Sequence, residues 1–232
     1  MREIVFDTET TGLDPASGDR MVEIGCVELV NRVATGVTYH AYFNPERDMP
    51  AAAEAVHGLS ISFLEDKPLF GATATELIDF LGDAPLVAHN AGFDFGFLNS
   101  ELERISFEPI CTSRMVDTVA LARKRHPGAK LSLDALCTRY GIDRSHRVKH
   151  GALLDAELLA QVYVELTGGR QIGLELAAEN ARVSETKSVS IARVSGRAEG
   201  ERREPRPHAA SEEELARHRA FLDQIESPIW SS

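Results

Sequence analysis

Asp7 and Glu9 stand two residues apart at the end of the apolar run Ile4-Val5-Phe6. On an extended strand both carboxylates therefore leave the same face. Buried like charges at that spacing are costly unless a cation binds there. The demand recurs twice along the chain. Asp94 ends His89-Asn90-Ala91-Gly92-Phe93-Asp94, and His150 precedes Asp155 by five positions in His150-Gly151-Ala152-Leu153-Leu154-Asp155-Ala156. A fold that gathers Asp7, Glu9, Asp94 and Asp155 must supply counter-charge, because neighbouring carboxylates do not all stay ionised unaided. Oxygen-only ligands suit two divalent cations, Mg²⁺ or Mn²⁺, rather than zinc. His150 beside them is a candidate general base toward an attacking water. The chemistry implied is two-metal phosphodiester hydrolysis.

Each motif has a plainer reading when taken alone. Asp-x-Glu at a solvated strand end is commonplace, Asp94 suits a helix N-terminus through the macrodipole, and a lone His150 reads as a surface histidine. Thr10-Thr11-Gly12 favours the functional reading of the first pair, since a tight turn there would expose the acids in a groove. The three motifs in order carry the argument that none carries singly.

Around them the patterning is that of an α/β domain. Residues 2–7 read as a buried strand, residues 21–30 alternate apolar and polar, and residues 33–43 are β-rich, so the three form an antiparallel meander. A helix over 72–82, a strand over 85–89 and helices over 93–104, 115–125, 131–140 and 151–167 follow. This succession of strands and helices predicts a mixed sheet flanked by helices. Gly168-Gly169 closes the last helix, and the composition then changes. Residues 179–210 read as a flexible linker, being polar and Pro/Gly-containing. At 211–232 order returns: Ser211 and Glu214 form a capping box, and Leu215, Phe221, Leu222, Ile225 and Trp230 give one apolar stripe. So short a helix is marginal alone and is expected to fold against a partner.

Charge and cysteine usage narrow the setting. The net charge of −11 argues against extensive nucleic-acid binding. It is concentrated in residues 1–168, which carry 15 Lys and Arg against 25 Asp and Glu. Several of those acids are the proposed ligands, and basic clusters remain at Arg123-Lys124-Arg125-His126 and between Arg144 and Lys149. Contact with only a few phosphates is expected, with modest salt dependence. Cys26, Cys111 and Cys137 have neither disulfide-framework nor zinc spacing, which fits a reducing, cytoplasmic setting. No signal-peptide layout opens the chain, and no apolar run suggests a membrane span.

The three motifs, in order over about residues 3–168, resemble the DEDD exonuclease superfamily in its histidine-containing subgroup. Within it, His150 to Tyr163 with Thr167-Gly168-Gly169, and Val56-His57-Gly58-Leu59, are similar to proofreading subunits of bacterial replicative polymerases. The resemblance implies a ribonuclease-H-like sheet and a 3′→5′ exonuclease domain over 1–169. It implies Asp7, Glu9, Asp94 and Asp155 as metal ligands and His150 as the base. Val56, His57 and Phe93, with Glu9, would receive the terminal nucleotide of a single-stranded or frayed DNA 3′ end. For Val56, His57 and Phe93, core packing or helix capping is an equally simple reading.

The tail is read the same way. Gln171-Ile172-Gly173-Leu174-Glu175-Leu176, within 170–178, resembles peptides that bind the bacterial sliding clamp, with a frayed helix end as the alternative. Residues 211–232 would anchor the polymerase catalytic subunit, and a small accessory subunit is a further possible partner. Two rivals remain: an RNA or short-oligonucleotide 3′→5′ exonuclease of the same superfamily, and a scaffold joining clamp to polymerase.

Overall fold

Five strands form one sheet in the order β3-β2-β1-β4-β5. They are β1 (Arg2–Thr10), β2 (Met21–Val30), β3 (Val33–Tyr42), β4 (Leu86–Ala88) and β5 (Met115–Asp117). β1 pairs antiparallel with β2, and β2 with β3, as the alternation predicts. β4 joins β1 in parallel and β5 joins β4 in parallel. The mixed sheet is thus observed. The structure, a computed structural model, describes residues 1–145, 147, 149–168 and 210–224.

The two faces of β1 belong to different helices. Ile4 and Phe6 pack with Ile24, Cys26, Leu77, Leu81, Phe95, Leu98 and Leu102, which brings in α3 (Phe70–Leu81) and α4 (Gly92–Arg104). Val5 joins Val27, Leu29, Val87, Ala156, Leu159 and Tyr163 on the opposite face, under α7 (Ala152–Leu166). The far side of α7 buries Leu158, Val162 and Leu166 against Ala122 of α5 (Thr118–Arg125) and Leu136 of α6 (Leu133–Tyr140). Nearly every side of α7 is therefore apolar, because it is sandwiched between sheet and helices. Each fully buried leucine here contributes about 2 kcal/mol.

Two polar pairs stitch the layers together. The Tyr163 hydroxyl donates to Glu3 at 2.6 Å. Arg20 grips Glu101 through two nitrogens at 2.7 and 2.9 Å, tying the turn after β1 to α4.

The helix expected over 115–125 begins three residues late. Met115–Asp117 forms β5, and Asp117 caps α5 by accepting from the Val119 N–H at 2.9 Å. A three-residue parallel strand has no room to show an alternation, so periodicity could not separate it from the helix behind it. Two short helices not expected from periodicity, α1 (Ala51–His57) and α2 (Ile61–Leu64), flank Gly58-Leu59, with Val56 and His57 ending the first.

The chain divides into two units, Met1–Leu176 and Ala177–Ser232. Within the second, α8 (Glu212–Leu222) carries the expected capping box: Ser211 accepts from the Glu214 N–H, and Glu214 accepts from the Ser211 N–H at 2.8 Å. Leu215 and Phe221 are exposed on it. Gln171–Leu176, residues 179–209 of the linker, Ile225 and Trp230 lie outside the described residues. No helix among the described residues is long and apolar enough to cross a membrane.

Candidate active site

The end of β1 gathers the acids from both faces of the sheet. Asp7 and Glu9 follow Val5 toward α7, whereas Thr8 points to the α4 side, where its hydroxyl donates to Asp94 Oδ1 at 2.7 Å. Asp94 reaches that position through a sharp turn after β4. Asn90 there adopts a left-handed backbone (φ 64°), a conformation asparagine tolerates better than most residues. Its N–H donates to Asp117 Oδ1 at 3.1 Å. Asp94 then lies buried in the first turn of α4.

Asp155 is delivered by α7, and a glycine permits the approach. Gly25 is the cross-strand partner of Asp7. A Cβ on Gly25 would lie 2.2 Å from the Leu153 nitrogen and 2.4 Å from the Ala152 carbonyl carbon. The backbone of the first turn of α7 therefore rests directly on the sheet, which brings Asp155 into the first turn beside Asp7 and Glu9. His150 stands just ahead of the helix, its N–H donating to the Val56 carbonyl at 3.4 Å.

Asp7, Glu9, Asp94, His150 and Asp155 line one cavity of about 270 Å³, together with Thr8, His89, Phe93, Asp134 and Arg147. One ligand atom from each of Glu9, His150 and Asp155 lies within 4.8 Å of the others. Burial raises the Asp7 carboxyl well above its ordinary range, and the charges of Asp94, Glu9 and Asp155 push it further. Burial, then Glu23 across the strand pair, lifts Glu9 to about 8. Burial lifts Asp94 to about 7 despite the Thr8 hydrogen bond. Such a cluster of oxygen donors is underneutralised by protein alone and fits hard divalent cations.

The three residues expected to receive a nucleotide are placed differently from one another. Phe93 lines the cavity and rests against Phe97 with ring centroids 4.9 Å apart. Val56 and His57 end α1 and do not line it. Val56 is half exposed and linked to His150 through its carbonyl, while His57 is buried and accepts from the Leu59 N–H at 3.0 Å.

Sequence reasoning passed over Thr8, Gly25, His89 and Asp134, and saw Arg147 only as part of a basic cluster. Arg147 contacts both oxygens of Asp155, one at 2.6 Å. Its position three residues before His150 was the available signal. Nothing in the local pattern around Thr8 or Gly25 announces their partners, which lie 86 residues away for Thr8 and on α7 for Gly25.

Comparison with known proteins gives a consistent set of matches. The Exonuclease family matches residues 4–163. The DNA polymerase III subunit epsilon of Rickettsia felis is 47% identical over 228 residues, spanning 97% of this chain and 97% of the relative. That of Escherichia coli (strain K12) is 42% identical over 232 residues, spanning 97% and 93%. Among solved structures, Exonuclease X in complex with 5′ overhanging duplex DNA aligns with a TM-score of 0.55 at 24% identity, over 71% of this chain and 90% of that one. The nuclease domain of 3′hExo, a DEDDh family member bound to rAMP, aligns with a TM-score of 0.62 at 17% identity, over 72% and 91%. At these identities the two structures share the fold.

Proposed function

The chain belongs to the exonuclease family and, within it, to the DNA polymerase III epsilon subunits, and from that premise we propose how its residues remove a 3′-terminal nucleotide. It is a metal-dependent 3′→5′ exonuclease that serves proofreading. The observation that carries the reading of the site is the convergence of four carboxylates and one histidine, from three separated motifs, on a single cavity.

Asp7, Glu9, Asp94 and Asp155 would hold two divalent cations, Mg²⁺ or Mn²⁺ by the hardness of their oxygens. Bound there, such cations would supply positive charge that stabilises the phosphodiester as it is attacked. Thr8 fixes the rotamer of Asp94 by occupying one of its oxygens. His150, half exposed at the mouth, takes the proton from the attacking water through whichever ring nitrogen faces it. Phe93 offers an aromatic face to the terminal base from within the cavity, and half-exposed Val56 would contact it from α1, whose carbonyl at that position accepts from the His150 N–H, whereas His57 is buried behind it. Unpaired terminal bases cost less to draw into such a pocket than paired ones, so selection for a frayed end needs no reading of the mismatch. Nucleoside 5′-monophosphates are the expected products.

The family and the tail support the partners assigned here. Residues 1–169 act as the nuclease, Gln171–Leu176 binds the sliding clamp, residues 179–210 link, and residues 211–232 hold the polymerase III catalytic subunit. Two exposed apolar side chains on α8, Leu215 and Phe221, support the last assignment. A small accessory subunit would bind the nuclease unit. Three free cysteines, two of them buried, support a cytoplasmic setting.

The test is hydrolysis of a 3′-labelled single-stranded DNA with Mg²⁺ or Mn²⁺, comparing the wild type with His150→Ala. Stepwise, metal-dependent shortening that falls roughly 10²–10⁴-fold in the variant is expected. Retained activity in His150→Ala would remove the histidine from the mechanism.

A further inference from the structure

We propose that Arg147 is a displaceable counter-ion of the metal site, which holds Asp155 and His150 while no divalent cation is bound and must release Asp155 for a cation to load. The inference rests on the reading of Asp155 as a metal ligand.

The geometry is specific to a guanidinium. Nε faces Asp155 Oδ1 and a terminal nitrogen faces Oδ2 at 2.6 Å, a fork-on-fork pairing that lysine cannot make. Both side chains are nearly enclosed, Arg147 at 9% exposure and Asp155 at 4%. Water therefore screens the pair weakly, and a cation arriving at Asp155 meets a fixed positive charge at close range. Release has somewhere to go. The other terminal nitrogen already bonds Asp134 Oδ1 at 2.8 Å, and Asp134 is half exposed at the outer edge of the cavity. Arg147 lies in the segment between α6 and α7 rather than within either helix. Its guanidinium can thus shift its weight from an inner carboxylate to an outer one.

The same movement acts on His150. The Arg147 nitrogen lies 2.7 Å from His150 Nδ1, and Asp155 Oδ2 lies 3.1 Å from that same atom. Nδ1 can accept from the guanidinium or donate to the carboxylate, but not both. With Arg147 in place the two compete. With Arg147 withdrawn, Nδ1–H can donate to Asp155, which leaves Nε2 with its lone pair free to accept a proton. Arg147 is in this sense a positioning residue: it acts through Asp155 and His150.

A merely structural Arg147 and a competing one predict opposite signs for cation binding. Mn²⁺ is titrated calorimetrically into the full chain without DNA, for the wild type, Arg147→Gln and Arg147→Lys. Loss of the competing charge should tighten Mn²⁺ binding by Arg147→Gln about 10-fold, equivalent to about 1.4 kcal/mol. Arg147→Lys, which keeps the charge but loses the fork, should tighten it by a smaller factor of roughly 3. Equal or weaker binding in a folded Arg147→Gln overturns the inference, because an arginine that only orients Asp155 helps the cation. Should Arg147→Gln not fold, Arg147→Lys decides by the same sign. Absence of Mn²⁺ binding in the wild type would overturn the metal-ligand reading and this inference with it, whereas wild-type binding without tightening overturns the inference alone.

Discussion

At the scale of single residues, the site holds more negative charge than the protein neutralises. Glu9 lifted to about 8 and Asp94 lifted to about 7 bind protons more tightly in the folded, metal-free protein than in the unfolded chain. The folded state therefore gains relative stability at low pH, and that gain is lost as pH rises from the ordinary carboxylate range through about 7–8. Thermal melts of the metal-free protein should show Tm falling between pH 5 and 8, and saturating Mn²⁺ should flatten the slope. A Tm that climbs with pH in the absence of metal would contradict the arrangement. Thr8→Val keeps the shape of the strand but removes the hydroxyl that holds Asp94 at 2.7 Å. Metal affinity or single-turnover hydrolysis should fall roughly 10–100-fold, as for other residues that orient a ligand. The four carboxylates and His150 were legible as residues because their chemistry is carried by type and order. Thr8 was not, since its role depends on a partner 86 positions away.

At the scale of elements, the contact between β2 and α7 sets the width of the site. Glycine at position 25 lets helix backbone lie where a side chain would otherwise stand. Gly25→Ala would force the first turn of α7 off the sheet and carry His150 and Asp155 with it. Overpacking of this kind costs about 1–3 kcal/mol, and chemical denaturation should show it. Hydrolysis should drop further than the stability loss explains, because a small displacement of Asp155 would disrupt the proposed ligand set. The long strands and α7 could be read from their periodicity, whereas β5 could not. Three residues, Met115–Asp117, take their strand character from pairing with β4 rather than from their own pattern.

At the scale of the whole molecule, the candidate site and the C-terminal helix fall in different compact units. The carboxylates lie within Met1–Leu176, whereas α8 belongs to Ala177–Ser232. Deleting residues 212–232 should leave hydrolysis of single-stranded DNA near normal and abolish co-elution with the polymerase catalytic subunit. Proofreading in the assembled polymerase should then fall through loss of effective concentration, not of catalysis. Persistence of the complex would relocate the attachment. The sequence by itself determined the candidate residue types of the site, the antiparallel meander and the capping box of α8, because each depends on local spacing or intrinsic side-chain chemistry. Only the tertiary structure decided that Asp155 stands against Gly25 rather than apart from β1, that Thr8 serves Asp94, and that Arg147 is turned into the acids instead of toward solvent. Those are contacts between distant segments, fixed by which faces of β1 and β2 the helices cover, and no local pattern encodes them.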